Sequence, residues 1–200
     1  MGAAPFIGLT GAIAAGKSEA LAALDRLGAA TLSSDAVVHE LLTSERVRDL
    51  LVDRWGPSVA PRGEVDRGRV GAIVFERPEQ LAWLESALHP LVGERIGAWR
   101  EALPEGPPLA VVEVPLLFET GLDAYFDATI AIVADDATRA ERAGDRGTGA
   151  LEGRTARQFS QAEKAARATY VIRNDGSVDE LEGALAELIA TLAPRGEQPA

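Results

Sequence analysis

The hydrophobic positions along this chain form short apolar runs that alternate with stretches of helical spacing. Five runs have the length and composition of strands, and they lie at residues 6–10, 30–33, 109–114, 128–133 and 170–173. Because the runs are apolar without strict alternation, they predict a parallel sheet whose strands are buried on both faces. Helices would cover both faces of this sheet, and ligands would bind at the C-terminal ends of its strands.

The intervals between the predicted strands have helical patterns. The first helix is expected to begin at Lys17-Ser18 and to end at Gly28. The long interval from residue 36 to residue 107 contains no convincing strand and predicts a helical insertion, in which Asp66 would cap one helix. Breaks in the insertion are expected near Gly56-Pro57, Pro61-Arg62-Gly63 and His89-Pro90. A helical, arginine-rich stretch precedes the last strand, and a terminal amphipathic helix is expected at residues 178–192.

Composition narrows the classes of function. The chain has 200 residues, of which 46% are hydrophobic, and this is enough for one compact domain with a substantial core. Its 31 acidic and 20 basic side chains give a net charge of −11, which argues against nonspecific binding to nucleic acid or to anionic membranes. With no cysteine, the chain has no disulfide framework, and a bound metal would need oxygen ligands. Since the apolar runs are strand-sized and the start lacks a secretory pattern, a cytoplasmic protein is expected.

A phosphate-binding loop is the most specific motif. Residues 11–18 match G-x-x-x-x-G-K-[ST] between a predicted strand and a predicted helix, and they are Gly11, Ala12, Ile13, Ala14, Ala15, Gly16, Lys17 and Ser18. Backbone N–H groups from Ala12 through Glu19 could wrap the triphosphate of ATP at a helix N-terminus. Lys17 would reach the β- and γ-phosphates, and Ser18 would offer its hydroxyl to Mg²⁺. The alternative is an ordinary glycine-broken turn with a solvated lysine.

Such a loop occurs in kinases, GTPases, mechanical ATPases and nucleotide sensors. An N-K-x-D guanine-reading pattern is missing, and Asn174-Asp175-Gly176 more simply predicts a strand-to-helix turn. Asp35 follows the second strand and could take the proton of an acceptor hydroxyl, or it could merely cap the next helix. Glu113, at the end of the third strand, could hold Mg²⁺ through water or pair with an arginine.

Three arginines share one predicted helix face. Arg139, Arg142 and Arg146 recur at spacings of three and four residues, so their guanidinium groups could clamp a phosphate and exclude water. Equally, they could form a solvated face paired with neighbouring carboxylates. Neither His39 nor His89 has a surrounding pattern that indicates proton transfer.

Ordered motifs along most of the chain carry a family resemblance. They are Gly8-Leu9-Thr10-Gly11 leading into the loop, Ser33-Ser34-Asp35, Leu88-His89-Pro90-Leu91, Val114-Pro115-Leu116-Leu117-Phe118-Glu119 and Val171-Ile172-Arg173-Asn174. In these segments, from about residue 6 to residue 176, the chain resembles the dephospho-CoA kinases. Arg142, Arg146, Arg154 and Gln158 are similar to the lid region of that family.

The resemblance implies an α/β three-layer P-loop kinase fold, with a five-stranded parallel sheet, a helical substrate-side insertion and a helical lid. As a single domain, its core would be about residues 1–35, 108–138 and 168–193, with the insertion at 36–107 and the lid at 139–167. The implied reaction moves the γ-phosphoryl group of ATP to the ribose 3′-hydroxyl of dephospho-CoA, with Mg²⁺ present.

The same resemblance implies roles for particular residues. Asp35, Lys17, Arg142 and Arg146 would be catalytic, and Asn174 and Gly176 would lie near adenine. Residues implied to contact the acceptor are Asp35, His89, Pro115, Leu116 and Glu119, and those implied to hold the metal are Ser18 and Glu113.

Some positions depart from the family pattern. Ala12, Ala14 and Ala15 stand where the loop usually has glycine or serine, and Ser33 stands where an aspartate is frequent. Alanine keeps the backbone N–H, so nucleotide binding should survive unless a replaced glycine needs a positive φ. Two other interpretations stay open, a related kinase with a nucleoside or nucleotide acceptor and a nucleotide-sensing module without catalysis.

Overall fold

A five-stranded parallel sheet forms the centre of the fold. The computed structural model describes residues 4–144 and 158–192. The strands are β1 (Phe6–Gly11), β2 (Ala30–Ser33), β3 (Ala110–Glu113), β4 (Ala128–Val133) and β5 (Tyr170–Arg173). They lie in the order β2-β3-β1-β4-β5, and every neighbouring pair is parallel. All five predicted strands and their parallel arrangement are confirmed.

Strand β1 occupies the middle of the sheet, and its six residues are all buried. Helix α1 (Lys17–Arg26) follows it, and the terminal helix packs Leu181, Leu185 and Leu188 into the same apolar core. The remaining helices of this part of the chain are α6 (Asp136–Gly144), α7 (Gln161–Arg167) and the terminal α8 (Val178–Leu192), and a short 3₁₀ helix spans Leu122–Tyr125. The predicted first and last helices are confirmed.

Residues Ser34–Ala102 form a compact unit of their own, while the rest of the described chain forms a second unit around the sheet. The Ser34–Ala102 unit is entirely helical apart from its connections, as the sequence predicts. Its elements are α2 (Ser34–Thr43), α3 (Glu45–Trp55), a 3₁₀ helix (Pro57–Val59), α4 (Arg67–Glu76) and α5 (Pro78–Glu101). The Asp66 side chain accepts hydrogen bonds from two backbone N–H groups at the start of α4, which confirms the predicted cap.

The core of this unit explains one wrong prediction. The expected helix break at His89-Pro90 does not occur, because α5 continues through Pro90 from Pro78 to Glu101. A proline inside a helix removes one backbone hydrogen bond. Leu88 and Leu91, on either side of it, are only 6% exposed and pack against Val47, Leu51, Val59 and Val70. Their burial outweighs the lost bond. The break at Gly56-Pro57 does occur, since α3 ends at Trp55.

None of the helices among the described residues has the length and apolar character required to span a membrane.

Candidate active site

The phosphate-binding loop connects β1 to α1 through a tight backbone turn. The Ala15 N–H donates to the carbonyl oxygen of Ala12 at 3.2 Å, and Ala14 has a φ of 61°. Ala14 is the only described residue other than glycine with a positive φ, so Ile13 keeps a negative one. A negative φ followed by a positive φ at the two central positions defines a type II turn, in which glycine is preferred at the second. One replaced glycine position of the loop therefore does require a positive φ, and alanine occupies it.

The two glycines that remain in the motif are required by their surroundings. Gly16, the last residue before α1, has a φ of 94°, and an added Cβ would overlap with Nδ2 of Asn174. That amide nitrogen is buried and donates to the carbonyl oxygen of Ala15 at 2.9 Å. At Gly11, an added Cβ would lie 2.5 Å from the backbone oxygen of Ile132 in β4. The packing around the loop thus requires glycine at both positions, independently of any ligand.

Side chains of the loop already have partners within the protein. The Lys17 amine donates to the carbonyl oxygen of Ala12 at 3.1 Å, so it bends back across the loop from the first turn of α1. The Glu19 carboxylate forms an exposed ion pair with Arg26 at 3.2 Å, which leaves its backbone N–H as the group it can offer to a phosphate. Ser18 is exposed at the start of the same helix.

Two of the three predicted arginines lie against this loop. From α6, Arg139 donates through Nε to the carbonyl oxygen of Ile13 at 3.2 Å and pairs with Asp136 at 3.0 Å. Arg142 donates through Nη1 to the carbonyl oxygen of Asn174 at 3.0 Å. The same nitrogen would lie 3.6 Å from a Cβ added at Gly16. Positive charge is therefore concentrated beside the phosphate-binding loop. Arg146 and Arg154, also considered in the sequence, lie outside the described residues.

The start of α6 is held by a carboxylate. Asp135 accepts a hydrogen bond from the Thr138 N–H at 2.8 Å, and this bond lowers the pKa of the exposed Asp135 carboxyl below its ordinary value. The Asp135 N–H in turn donates to the Asp175 side chain, which follows β5. These bonds connect the arginine-bearing helix to the end of the sheet.

Asn174, Asp175 and Gly176 form the predicted turn between β5 and α8. The Asn174 backbone N–H bonds to Val133 in β4, while its side chain points at the phosphate-binding loop. Gly176 lies beside the Glu180 carboxylate, which accepts from the Ser177 N–H at 2.8 Å and caps α8. This turn therefore supports the loop from β5, which is separated from β1 by β4.

Glu113 lies at the C-terminal end of β3, where it is 8% exposed. In the sheet it is in register with Leu9 of β1 and with Ser33 of β2, so its carboxylate is at the edge from which the phosphate-binding loop departs. Among residues 4–144 and 158–192, no group of three or more His, Asp or Glu side chains could by itself hold a metal ion. A cation here would need ligand oxygens in addition to Glu113 and Ser18.

The segment after β3 contains several residues implied to contact the acceptor. The Thr10 hydroxyl at the end of β1 donates to the carbonyl oxygen of Pro115 at 3.3 Å. Farther along, one oxygen of Glu119 forms an ion pair with Lys164 at 2.8 Å and accepts from the Phe159 N–H at 2.8 Å. Leu116 is half-buried between these two contacts.

Asp35 and His89 belong to the helical unit of residues Ser34–Ala102. Asp35 is exposed in the first turn of α2, which begins at Ser34. It follows the last residue of β2 by two positions. His89 is exposed on α5.

One polar residue of this site, Lys164, is not predicted from the sequence. Its side chain has no exposed surface. Lysine is rare in this chain, with one residue in the phosphate-binding loop and the other at position 164, and this rarity was the available signal. Thr10, one partner of Lys164, lies 154 positions away along the chain, so no local spacing could have identified this contact.

Comparison with known proteins agrees with this geometry. The family model for dephospho-CoA kinase matches residues 5–180. The chain is 41% identical over 182 residues to the dephospho-CoA kinase of Symbiobacterium thermophilum, and the match covers 87% of this chain and 75% of that one.

Solved structures give the same result. A crystal structure of a Thermus thermophilus protein has a TM-score of 0.81 and 34% identity, and the match covers 96% of this chain and 100% of that one. The dephospho-CoA kinase of Campylobacter jejuni has a TM-score of 0.67 and 24% identity over 96% of this chain and 99% of its own, which shows a shared fold. The predicted P-loop kinase fold is confirmed, and this chain belongs to the dephospho-CoA kinase family.

Proposed function

We propose that this protein transfers the γ-phosphoryl group of ATP to the ribose 3′-hydroxyl of dephospho-CoA, which gives CoA and ADP. Membership of the dephospho-CoA kinase family is the observation that carries the proposal. The site is consistent with it, since a phosphate-binding loop is flanked by two arginines and lies beside a carboxylate at the next strand end.

The loop would hold the triphosphate of ATP through its backbone N–H groups and the positive end of α1. Lys17 would exchange its bond to the Ala12 carbonyl oxygen for a phosphate oxygen. Arg142, now bonded to a backbone carbonyl, would turn toward charge that develops on the transferred group, and Arg146 would act with it. These bonds within the protein hold the side chains of Lys17 and Arg142 in place before ATP binds.

A magnesium ion fits the oxygen donors at this edge of the sheet. The Ser18 hydroxyl and the Glu113 carboxylate, the latter through water, are the groups that would hold it. When bound, Mg²⁺ would neutralise negative charge on the phosphates of ATP. Since these two residues supply few ligands, phosphate and water oxygens would complete the coordination.

Asp35 would accept the proton of the 3′-hydroxyl as it attacks the γ-phosphorus. The support for this role is the position of Asp35 in the chain. It comes two residues after Ser33, which is in register with Glu113 at the end of β3. Residues after β3, including Pro115 and Leu116, would contact dephospho-CoA, as would His89. Asn174 and Gly176 would lie on the side of the adenine of ATP.

The first test of the function is ADP release from Mg·ATP with and without dephospho-CoA, with identification of CoA as the product. Nucleoside monophosphates and adenosine serve as alternative acceptors. Release that depends on dephospho-CoA is the expected result. If a different acceptor alone supports release, the substrate is wrong; if ATP binds and no acceptor supports release, the protein is a nucleotide sensor.

Asp35→Asn tests the role of the base. Loss of a general base lowers turnover by about 10²- to 10⁴-fold, while nucleotide affinity should persist. Glu40→Gln is the matched control, because it removes a carboxylate from the same helix where it forms a surface pair with Arg95 at 3.0 Å. Steady-state kcat and ATP titrations should therefore separate the two variants. Equal kcat values for Asp35→Asn and the control would remove Asp35 from the reaction.

A further inference from the structure

We propose that Lys164 is a positioning residue, which fixes the segment from Pro115 to Glu119 against the base of the phosphate-binding loop. Lys164 lies on α7 and is 0% exposed, which makes it the largest fully buried side chain among the described residues. A lysine is rarely buried to this extent unless its amine is fully paired. The burial therefore indicates a specific task for the amine.

The amine of Lys164 has three acceptors for its three N–H bonds. It donates to the carbonyl oxygen of Pro115 at 2.7 Å and to the Thr10 hydroxyl oxygen at 3.3 Å, and it forms an ion pair with Glu119 Oε1 at 2.8 Å. The acceptors come from the end of β1 and from both ends of the segment that follows β3. One side chain thus joins two parts of the chain that have different functions in the proposed reaction.

The contacts of Lys164 lie where the backbone pairing of β1 and β3 ends. The last backbone bond on this side runs from the Val114 N–H to the Leu9 carbonyl oxygen at 2.8 Å. Pro115 comes next, outside the paired residues of β1 and β3. Its carbonyl oxygen is instead held by Lys164 and by Thr10, the residue directly before Gly11. Side chains therefore extend the pairing of β1 and β3 beyond the end of the strands.

The helix that carries Lys164 is itself held in place. Helix α7 starts with a capping box in which Ser160 and Glu163 bond each other's backbone N–H groups. Gln161 clamps the backbone of Ala134, at the end of β4, by accepting from its N–H at 2.9 Å and donating to its carbonyl oxygen at 2.8 Å. The amine is therefore presented from a helix that is anchored to the sheet.

Glu119 depends on Lys164 for its charge compensation. Its Oε1 atom is shared by Lys164 and the Phe159 N–H, while its Oε2 atom is buried and has no hydrogen-bond partner among the described residues. Removing the lysine alone would leave this carboxylate buried without a counter-ion. The segment from Pro115 to Glu119 would then lose a contact at each of its ends.

The functional consequence rests on the proposed function. The phosphate-binding loop holds ATP, and the segment after β3 holds the acceptor, so Lys164 sets the distance between the phosphoryl donor and the acceptor hydroxyl. Small errors in such a distance lower the rate of the chemical step more than they weaken binding. Loss of Lys164 should therefore appear mainly in kcat for CoA formation.

The experiment compares Lys164→Met, Leu185→Ala and wild type at a temperature where all three are folded. Leu185 is buried in α8 and has no role in the proposed reaction, so its truncation serves as a control for a general loss of stability. For Lys164→Met, kcat should fall by about 10- to 100-fold while the KM for ATP changes by less than about threefold. For Leu185→Ala, kcat should stay near the wild-type value. A Lys164→Met enzyme with the kcat of Leu185→Ala would overturn the proposal.

A second variant covers the case in which Lys164→Met does not fold. Lys164→Met/Glu119→Gln removes both charges of the pair and should fold, yet kcat should remain low, because Pro115 has lost its bond to the amine and keeps only the longer one to Thr10. Wild-type kcat in this double variant would also overturn the proposal. Amide hydrogen exchange gives a readout that does not depend on the substrate, since residues 116–122 should exchange faster in the double variant than in wild type. If wild type forms no CoA, the proposed function fails, and the exchange rates alone decide the positioning role.

Discussion

Replacing Ala14 by glycine should stabilise the protein, although glycine substitutions usually destabilise. Ala14 has a φ of 61° at the second central position of the turn, and this conformation costs an L-residue with a Cβ about 1–2 kcal/mol. Glycine removes the cost but adds freedom to the unfolded chain worth about 0.4–1 kcal/mol. The net stabilisation is about 0.5 kcal/mol.

Ala15 provides the matched control within the same loop. It is 0% exposed and has no positive φ, so Ala15→Gly gains no relief of strain. It loses a buried methyl group worth about 0.8 kcal/mol and adds about 0.5–1 kcal/mol of chain entropy. The free energies of unfolding of the two variants should differ by about 2 kcal/mol, which corresponds to about 4–8 °C in Tm for a chain of this size.

Calorimetry or urea unfolding of wild type and both variants, without nucleotide, measures this difference. From most to least stable, the expected order is Ala14→Gly, wild type and Ala15→Gly. If Ala14→Gly loses as much stability as Ala15→Gly, the turn does not hold Ala14 at a positive φ, and the reasoning from backbone strain is refuted.

Two further predictions concern helices. Pro90→Ala should stabilise the protein by about 1–3 kcal/mol in urea unfolding, because α5 runs through this position and regains a backbone hydrogen bond; a loss of stability would contradict this. Hydrogen bonds from the Thr138 N–H to Asp135 and from the Ser160 hydroxyl to Glu163 lower the pKa of each carboxyl below its ordinary value of 3.8 or 4.5. The stability that these caps contribute is therefore complete above those values and is lost as the pH falls through the lowered pKa. Unfolding measured from about pH 5 to about pH 3 should show the loss, and Asp135→Asn should flatten part of it; an unchanged pH profile in that variant would argue against the cap.

Much of the fold could be predicted because its signals are local. Strand-sized apolar runs, the position of the phosphate-binding motif between β1 and α1, and the Asp66 cap each depend on a few neighbouring residues, and the structure confirms them. The predicted helix break at Pro90 was wrong, because the packing of Leu88 and Leu91 in the core of the helical unit outweighs the local tendency of proline to end a helix. Local patterns do not report how well a helix is packed.

The candidate site was predictable to the same extent. Lys17 and the arginines of α6 follow from sequence spacing, but the bonds of Arg139 to Ile13 and of Lys164 to Thr10 join residues 126 and 154 positions apart. Such contacts follow from the order of the strands, which the sequence alone did not determine. The positive φ of Ala14 was stated as a condition from the sequence, and only the backbone of the turn could decide it.

The pairing of β2 with β3 has a consequence for how this protein is built. These strands are direct neighbours in the sheet, yet the chain between them includes the whole compact unit of residues Ser34–Ala102. In topological terms, that unit is a single enlarged crossover connection, the element that an ordinary α/β protein makes from one helix. Because it has its own apolar core, its helices can be lengthened, exchanged or repacked while every strand pairing stays the same. Apart from Asp35 and His89, to which the proposed function gives roles, the helical unit can thus diversify while the sheet that carries the phosphate-binding loop stays the same.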